Sequence, residues 1–427
     1  MTQTAIPPTI LDSARFQFDL TEADHQARLV QLADALLALP HLSPVLLAEM
    51  ARQPETPLAF KLAAKLVESR WVMVANQRPL SIAVVFAMWG EQNRLHPKTA
   101  VNPHGEDSLR TKLAQLEWAT QDTAVSWRLY AVDDGCPHDS GRLAQTIADE
   151  HPLGDRVTVS FLAEALPTDS GPLANLASAD DSRKGGAIIY GCMQALTDGA
   201  DAVIYTDADN SVHLGQVGLL LRPYLDDGYR VVLGNRKHPD SVLVKQEARW
   251  GIGIKVLRHM QRMIGAAIFS QGIKDTQAAF KLYQRDLLAD ILQRPTVYDF
   301  SFDTDWILAI IAREEPFTAV PFAFIDSAAE SASIVQGPMT TWETLLLGLL
   351  KAVRAHAIPH NEEMARVIDE EIHSYRDLEL LIDHLPPELA QADAADLGRP
   401  AILSPQALQA WIQERKREAA GAGAQSE

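Results

Sequence analysis

The chain has 427 residues, of which 47% are hydrophobic and 22% charged, the balance of a folded globular protein rather than a disordered one. Its 56 Asp and Glu outnumber its 38 Lys and Arg and give a formal net charge of −18, which argues against non-specific binding to nucleic acid and against docking on anionic lipid. The two cysteines form no ligand-spaced cluster, which excludes a disulfide framework and favours a cytoplasmic location. No run of about 18 apolar residues predicts a membrane span, and we expect no signal peptide.

Residues 1–75 are predicted to be a helical N-terminal extension. Apolar residues recur there at the three- and four-residue spacing of an amphipathic helix, and prolines separate the segments. The periodic segments are Ala23–Ala38, Pro44–Met50 and Pro57–Val67.

Residues 76–335 are predicted to be an α/β domain with a mostly parallel sheet. Short apolar runs, typical of strands buried on both faces, occur at Ser81–Met88, Trp127–Val132, Val157–Leu162, Ala202–Tyr205 and Arg230–Leu233. Helical patterns separate the first four runs, at Asp107–Trp118, Gly141–Glu150 and Gly186–Leu196. This alternation predicts right-handed βαβ crossovers, and in such sheets ligands bind beyond the carboxyl ends of the strands.

Residues 336–427 are predicted to be a helical C-terminal extension. Helical patterns cover Trp342–Ala357, Asn361–Leu385 and Pro405–Arg417. The tail Ala419–Glu427 consists mostly of small and polar residues, so we expect it to be disordered.

Two acidic motifs directly follow predicted strands. Asp133 and Asp134 could accept hydrogen bonds from the base or ribose of a nucleotide, although Asp and Gly are also favoured in plain turns. Asp207 and Asp209 flank Ala208, and the alternation of side chains along an extended segment puts both carboxylates on the same side. Such a pair can hold Mg²⁺ or Mn²⁺ with open positions for phosphate oxygens. A lone Asp-x-Asp is more often a solvated acidic loop, and here its position at the end of a buried strand favours the metal.

Basic and acidic residues elsewhere complete the set of candidates. Lys184 precedes a glycine pair at a predicted helix start, which suits an anion, with a flexible solvated loop as the alternative. Arg236 follows the fifth strand and could neutralise charge on a leaving diphosphate. Asp303, Asp305 and, third, Asp275 could serve as a general base, although a helix cap or surface ion pair is the commoner role for any one of them.

Taken in order along the chain, these motifs resemble those of the GT-A glycosyltransferases of family 2, and most closely the dolichyl-phosphate glucosyl- and mannosyltransferase branch. In chain order, the family pattern is Pro-Ala-Tyr-Asn-Glu, Val-Asp-Asp-Gly-Ser, Asn-x-Gly-Lys-Gly-x-Ala, Asp-Ala-Asp, Gly-Ser-Arg, Asp-Thr-Gln-x-Gly-Phe-Lys and Phe-Asp-x-Glu. The corresponding segments here are Ala87–Glu91, Val132–Cys136, Ser182–Ala187, Asp207–Asp209, Gly234–Arg236, Asp275–Lys281 and Phe302–Asp305. The resemblance covers residues 80–335 approximately.

The resemblance implies a GT-A fold, a nucleoside diphosphate sugar donor and a divalent metal. The predicted metal ligands are Asp207 and Asp209, and the predicted catalytic residues are Asp303, Asp305, Asp275 and Arg236. The predicted substrate contacts are Trp89, Glu91, Asp133, Asp134, Lys184, Ala208, Gln277 and Lys281.

The first motif departs from the family pattern. Ala87 and Gly90 stand where the family has proline and asparagine, and Trp89 replaces a tyrosine. Trp89 either stacks on the base or packs in the core. The branch acts on a lipid phosphate, yet this sequence predicts no membrane helix, so we expect a soluble acceptor.

The sequence therefore predicts a metal-dependent, inverting glycosyltransferase that moves a sugar from a UDP- or GDP-sugar to a small soluble acceptor. The helical flanks are expected to shape the acceptor pocket or an oligomer interface. One alternative is a sugar nucleotidyltransferase, which ranks lower because Met88–Arg94 has one glycine where such enzymes have a glycine-rich loop. The other is a non-catalytic sugar-nucleotide-binding protein.

Overall fold

The computed structural model describes residues 6–245, 252–327 and 338–423. The described residues pack into two compact units. The first unit contains residues 6–245, 278–293 and 316–327, and the second contains residues 252–277, 294–315 and 338–423. The ranges of the two units thus interleave along the chain.

Helices and strands have the following bounds. The helices are Pro8–Ser13 (α1), Ala23–Leu37 (α2), Pro44–Arg52 (α3), Leu58–Ala75 (α4), Gln92–Leu95 (α5), Ser108–Thr120 (α6), Ser140–Glu150 (α7), Gly185–Thr197 (α8), Val217–Asp226 (α9), Ile254–Ile264 (α10), Ala266–Ser270 (α11), Arg285–Ile291 (α12), Phe302–Ala312 (α13), Pro338–Ala355 (α14), Glu362–Glu371 (α15), Tyr375–Ile382 (α16), Pro387–Gln391 (α17) and Pro405–Gly423 (α18). The strands are Leu80–Met88 (β1), Val125–Asp133 (β2), Val157–Phe161 (β3), Ala202–Thr206 (β4), Val231–Gly234 (β5), Val242–Val244 (β6), Phe280–Gln284 (β7), Phe317–Val320 (β8) and Ala323–Ile325 (β9).

A seven-stranded sheet forms the centre of the first unit, in the order β3-β2-β1-β4-β7-β5-β8. β2, β1 and β4 run parallel, and each apolar run that the sequence identified as a strand is one. β6 and β9 form a separate two-stranded parallel sheet. The prediction of an α/β fold with a mostly parallel central sheet is confirmed.

β7 is a strand that the sequence analysis did not predict. It pairs antiparallel with both β4 and β5, and it lies between them in the sheet. Because two antiparallel steps separate β4 from β5, those two strands still point the same way. Their carboxyl ends therefore reach the same edge of the sheet as those of β1 and β2.

Helix α4 packs into the core of the first unit. Phe60 and Val67 are fully buried in the same apolar cluster as Ile82 and Val84 of β1. The hydroxyl of Ser69 accepts a hydrogen bond from the N–H of Gly218 at 2.9 Å, where α9 begins. The N-terminal helices and the sheet of this unit therefore share one hydrophobic core.

Removing residues 1–75 is expected to leave the remaining chain insoluble, because the apolar surface that α4 covers would face water. Two point substitutions in α4 provide a matched comparison. Phe60→Ala should cost about 3–5 kcal/mol of unfolding free energy, whereas Val74→Ala, at a side chain 52% exposed, should change it by less than about 0.5 kcal/mol. Urea denaturation measures both. A soluble, fully active protein that begins at residue 76 would contradict this prediction.

The second unit is helical in its described parts, and it corrects two expectations. The predicted segment Asn361–Leu385 is two helices, α15 and α16, because Ser374 starts α16 with a reciprocal capping box with Asp377. Residues 419–423, expected to be disordered, continue α18 to Gly423, which is consistent with the high helix propensity of alanine. Residues 424–427 lie outside the described residues.

None of the helices in the described ranges is both long and apolar enough to cross a membrane.

Candidate active site

Polar side chains gather at one edge of the seven-stranded sheet. Glu91 follows β1, Asp134 follows β2, Asp207 follows β4 and Arg236 follows β5. Since these four strands point the same way, the fold brings to one edge residues that are up to 145 positions apart in the chain. An apolar strand that ends in a charged residue places the charge where the core stops.

Asp133 supports the loop that follows β2. Its Oδ1 accepts the N–H of Cys136 at 2.8 Å and its Oδ2 accepts the N–H of Gly141 at 2.7 Å, in the first turn of α7. A Cβ at Gly141 would lie 2.7 Å from the same Oδ2, so glycine permits this approach. Burial raises the pKa of Asp133, and the backbone N–H groups counteract that effect. Asp133 was predicted to contact the nucleoside, but both of its carboxylate oxygens already accept hydrogen bonds from backbone N–H groups.

Asp134 is buried, with one oxygen that the protein does not satisfy. Its Oδ2 accepts the N–H of Lys184 at 2.6 Å, which holds Lys184 in a left-handed conformation (φ 82°) immediately before α8. Its Oδ1 has no hydrogen-bond partner in the described structure. Burial raises the pKa of Asp134 to about 7. A buried carboxyl with an unused oxygen suits a hydrogen-bonding ligand.

Lys184 and Asp207 form an ion pair between the start of α8 and the end of β4. Burial raises the pKa of Asp207, but the charge and hydrogen bond of Lys184, with the charges of Arg236 and Lys112, outweigh burial and lower it. Asp207 is therefore ionised at neutral pH. The N-terminal N–H groups of α8 add a partial positive charge on the side of Lys184.

Asp209 completes the acidic motif. Its Oδ1 accepts the N–H of Ser211 at 3.0 Å, and its main-chain carbonyl accepts a hydrogen bond from the ammonium of Lys112. Lys112 is fully buried in α6, and burial lowers its pKa. Between the two carboxylates, the side chain of Ala208 belongs to the apolar core. Lys112 and the packing of Ala208 therefore fix the loop on its buried side. The carboxylates of Asp207 and Asp209 remain partly exposed.

Three buried charged residues near this edge were not found by sequence reasoning: Arg94, Glu106 and Lys112. Arg94 donates to Glu91 Oε2 at 2.7 Å and to Glu106 Oε1 at 3.2 Å. Burial raises the pKa of Glu91, and the charge of Arg94 partly reverses that effect. Arg94 and Lys112 lie in helices, where a charged residue on a buried face is a weak local signal, whereas Glu106 lies in the loop before α6 and has no such signal.

Trp89 is 38% exposed, so of the two alternatives for this residue the core position is excluded. Its ring lies edge-on to that of His138, with 6.2 Å between the ring centroids. The N–H of Gly90 donates to Cys136 Sγ at 3.1 Å, which fixes the turn that follows Trp89. The exposed indole is available to stack on a planar ligand.

Arg236 and Lys281 differ in exposure. The guanidinium of Arg236 lies 5.0 Å from the ring centroid of Phe324 and is partly exposed. Lys281 is fully buried in β7, where its ammonium donates to the carbonyl of Ala278 at 2.6 Å and lies 5.3 Å from the ring centroid of Tyr205. Arg236 can therefore meet a ligand, whereas Lys281 is packed inside the sheet.

The second unit contains the other candidates. Gln277 donates to Asp303 Oδ1 at 2.9 Å and to Thr304 Oγ1 at 3.1 Å. Asp275 and Asp303 are both buried, each with 4% of its surface exposed. Helix α13 begins at Phe302, so Asp303 and Asp305 lie in its first turns, and the extended alternative for this segment is wrong. The helix N-cap is Ser301 and not Asp303.

Asp305 is held by several donors. Its Oδ2 accepts the N–H groups of Thr296 at 2.9 Å and Val297 at 3.3 Å, and its Oδ1 accepts the hydroxyl of Thr296 at 2.6 Å. His356 Nε2 lies 2.7 Å from the same Oδ1. Asp305 thus ties the start of α13 to the preceding loop and to the end of α14.

His213, just after the acidic motif, makes stability depend on pH. Burial, with the nearby charge of Lys112, lowers its pKa to about 3, and its Nδ1 accepts the N–H of Gly215 at 2.9 Å. The unfolded chain takes up this proton near pH 6.5 and the folded chain does not. Stability is therefore full above pH 6.5 and is lost as the pH falls toward 3, by about 2 kcal/mol at pH 5.

Urea denaturation at pH 7.5 and pH 5.0 measures this loss. His213→Asn keeps an oxygen that can accept the Gly215 N–H but cannot titrate, so it should remove about 2 kcal/mol of the difference between the two pH values. An equal difference in the variant and the wild type would rule out His213 as its source.

The acidic motif fits a hard divalent cation in its donor chemistry. Asp207 and Asp209 use Oδ1 in the hydrogen bonds described above, and each keeps its Oδ2 outside them. In the described ranges, no group of three or more His, Cys, Asp or Glu side chains is placed to hold a metal ion. Two carboxylates would therefore need further oxygen ligands from substrate and water, as Mg²⁺ commonly takes.

One comparison with known proteins is a match in sequence. Residues 113–292, which include β2, β4, β5 and most of the candidate residues, match the sequence model of glycosyl transferase family 2. The match is to the family as a whole, and the dolichyl-phosphate branch remains a prediction.

Two solved proteins are similar in structure. The first is glucosyl-3-phosphoglycerate synthase from Mycobacterium tuberculosis in complex with Mn²⁺, UDP and glucosyl-3-phosphoglycerate (16% identity, 69% of this chain and 85% of that chain, TM-score 0.43). The second is mannosyl-3-phosphoglycerate synthase from Rubrobacter xylanophilus (12% identity, 70% and 80%, TM-score 0.45). Another structure of the first enzyme contains Mg²⁺ and UDP, with a TM-score of 0.42. Residues 113–292, fewer than half of the chain, thus match the model of a glycosyl transferase family 2 domain, and this match supports a glycosyltransferase.

Proposed function

We propose that this protein is a metal-dependent, inverting glycosyltransferase that moves a sugar from a nucleoside diphosphate sugar, a UDP- or GDP-sugar, to a small soluble acceptor. The observation that carries the proposal is the convergence of Asp134, Lys184, Asp207 and Arg236 at one edge of the sheet. A nucleotide needs polar partners for the base and cations for the diphosphate, and this edge offers both.

In this proposal the nucleoside lies against the loops that follow β1 and β2. Asp134 Oδ1, buried and without a protein partner, bonds to the base or ribose. Its pKa near 7 lets it serve as acceptor or, when protonated, as donor. The exposed ring of Trp89 stacks on the base, and Glu91 contributes a carboxylate beside it.

The diphosphate lies beside the start of α8. Lys184, the N–H groups of α8 and Arg236 supply positive charge there, and they stabilise the leaving diphosphate as the C1–O bond breaks. Mg²⁺ or Mn²⁺, held by Asp207 and Asp209, would add charge stabilisation for the same oxygens.

In the transfer step, the acceptor oxygen attacks C1 of the sugar on the face opposite the diphosphate. The C1–O bond to the diphosphate breaks, and the diphosphate leaves with the electron pair of that bond. If the acceptor is a hydroxyl, its proton passes to a carboxylate base. The motifs offer Asp303, Asp305 and Asp275 for this role. Asp305 already accepts several hydrogen bonds, so we assign the base to Asp303, with Asp275 as the second choice.

Calorimetry with UDP- and GDP-sugars in Mn²⁺, followed by assays of transfer and of donor hydrolysis, tests the proposal. One of the two nucleotide classes should bind and turn over when an acceptor is present. Binding with no turnover on any acceptor would favour a non-catalytic sugar-nucleotide-binding protein. The absence of binding to both classes would overturn the proposed donor.

A further inference from the structure

Glu106 is a buried carboxylate that touches two of the loops at the edge. It precedes α6, and its side chain has no exposed surface. Its Oε1 accepts from Arg94 at 3.2 Å and from the hydroxyl of Ser327 at 2.5 Å, and its Oε2 accepts the N–H of Asn210 at 2.8 Å. Its main-chain carbonyl accepts from the Asn210 side chain at 2.9 Å.

One of these contacts fixes the acidic loop. Asn210 directly follows Asp209, and Glu106 holds both its N–H and its side chain. Lys112, one α-helical turn into α6, holds the carbonyl of Asp209 itself. The carbonyl and the N–H of the Asp209–Asn210 peptide group are therefore both held by the same short segment, residues 106–112.

The other contact fixes the loop after β1. Arg94 bridges Glu106 and Glu91, and its side chain is only 6% exposed. A planar guanidinium that donates to two carboxylates holds both of them in fixed positions. Glu91 is thus positioned by the same carboxylate that positions Asp209.

This pair of contacts carries the inference, which rests on the proposed function. We propose that Glu106 is a positioning residue that couples the nucleoside loop to the acidic loop, so that nucleotide and divalent cation each strengthen the binding of the other. Burying a carboxylate is costly unless every oxygen is satisfied. Glu106 has a cationic partner only when Arg94 of the loop after β1 is in place, and its Oε2 accepts the Asn210 N–H only when the acidic loop is in place. The hydroxyl of Ser327 alone satisfies neither the charge nor Oε2, so ordering one loop favours the order of the other. Binding coupling of this kind is reciprocal.

The experiment measures the dissociation constant of UDP and of GDP by calorimetry on the full chain, in Mn²⁺ and in EDTA. For each nucleotide, the dissociation constant in EDTA divided by the constant in Mn²⁺ measures the coupling. In wild-type protein we expect Mn²⁺ to tighten the nucleotide that binds by roughly 5–150-fold. Glu106→Gln keeps the size of the side chain but presents an N–H₂ to Arg94 or Asn210, and it should bring the ratio close to 1.

Arg94→Lys is the second variant. It keeps the positive charge but cannot span both carboxylates with one planar group, so it should reduce the ratio in the same direction. Glu117→Gln is the matched control: Glu117 lies in α6, is 38% exposed and pairs with Arg156 at 2.9 Å, and its loss should leave the ratio unchanged.

Melting temperatures recorded in parallel separate positioning from folding. If both variants lower the melting temperature but keep the wild-type ratio, Glu106 is a structural residue only and the inference is overturned. If the wild type binds a nucleotide with no effect of Mn²⁺, the coupling is also overturned while the donor assignment stands. If the wild type binds neither nucleotide, the proposed function itself is refuted.

Discussion

Asp207→Ala and Asp209→Ala are each expected to lower the rate of sugar transfer by at least about 10²–10³-fold while the protein stays folded. Both carboxylates are partly exposed at the end of β4, so their loss opens no cavity in the core. The loss of Asp207 also removes an ion pair with Lys184, whose side chain is 23% exposed. Stability should therefore change by less than about 1 kcal/mol.

Transfer assays, melting temperatures and calorimetry with nucleotide decide this prediction. Asp227→Ala, an exposed acidic residue just after α9, is the matched control and should keep full activity. EDTA should abolish wild-type transfer reversibly, with recovery on addition of Mn²⁺ or Mg²⁺. Full activity in EDTA, or in either alanine variant, would contradict the assignment of these carboxylates to a metal.

Asp303→Asn and Asp305→Ala are expected to separate chemistry from stability. Asp303→Asn keeps an oxygen for Gln277 but loses the basicity, so transfer to a hydroxyl acceptor should fall roughly 10²–10⁴-fold with little change in melting temperature. Asp305 accepts hydrogen bonds from two N–H groups and a hydroxyl and contacts His356. Asp305→Ala should therefore cost about 3 kcal/mol of unfolding free energy.

Turnover and urea denaturation of these two variants test the separation. An Asp303→Asn protein with wild-type turnover would eliminate it as the base and would indicate an acceptor that is already an anion. An Asp305→Ala protein with wild-type stability would show that the hydrogen bonds of Asp305 do not stabilise the second unit.

The sheet and its charged edge could be predicted because both depend on local patterns. Each strand of the parallel half is an apolar run, and Asp134 and Asp207 come directly after such runs. A charged residue at the end of a buried strand lies at the sheet edge whatever surrounds it. The alternation with helices then predicts that these strands are parallel, but it does not predict their order.

The residues beneath that edge could not be predicted in this way. Glu106 and Asn210 are 104 positions apart, and Lys112 and Asp209 are 97 apart, so their contacts depend on tertiary packing that brings residues 106–112 to the loop after β4, and not on any motif. Asp305 gives the opposite case. The motif marks it as a candidate base, but its hydrogen bonds to Thr296 and His356 arise only from tertiary structure.

β7 was missed because Phe280 and Lys281 were interpreted as part of a motif. A five-residue strand that contains a buried lysine has neither an unbroken apolar run nor strict alternation. Its antiparallel pairing with β4 and β5 satisfies the backbone groups of both neighbours, which no local signal in their sequences reveals.

The insertion of β7 between β4 and β5 has a consequence for the growing chain on the ribosome. β1, β2 and β3 lie within residues 80–161 and can pair as soon as that stretch has emerged. β4 can pair with β1 as soon as it emerges from the ribosome. The other edge of β4 stays unpaired until β7, which ends at Gln284, has emerged. An apolar strand with an open side is a template for pairing with another chain. The interval between residues 206 and 284 is therefore the stage of translation at which this protein is most exposed to edge-to-edge association, and a pause there would prolong it.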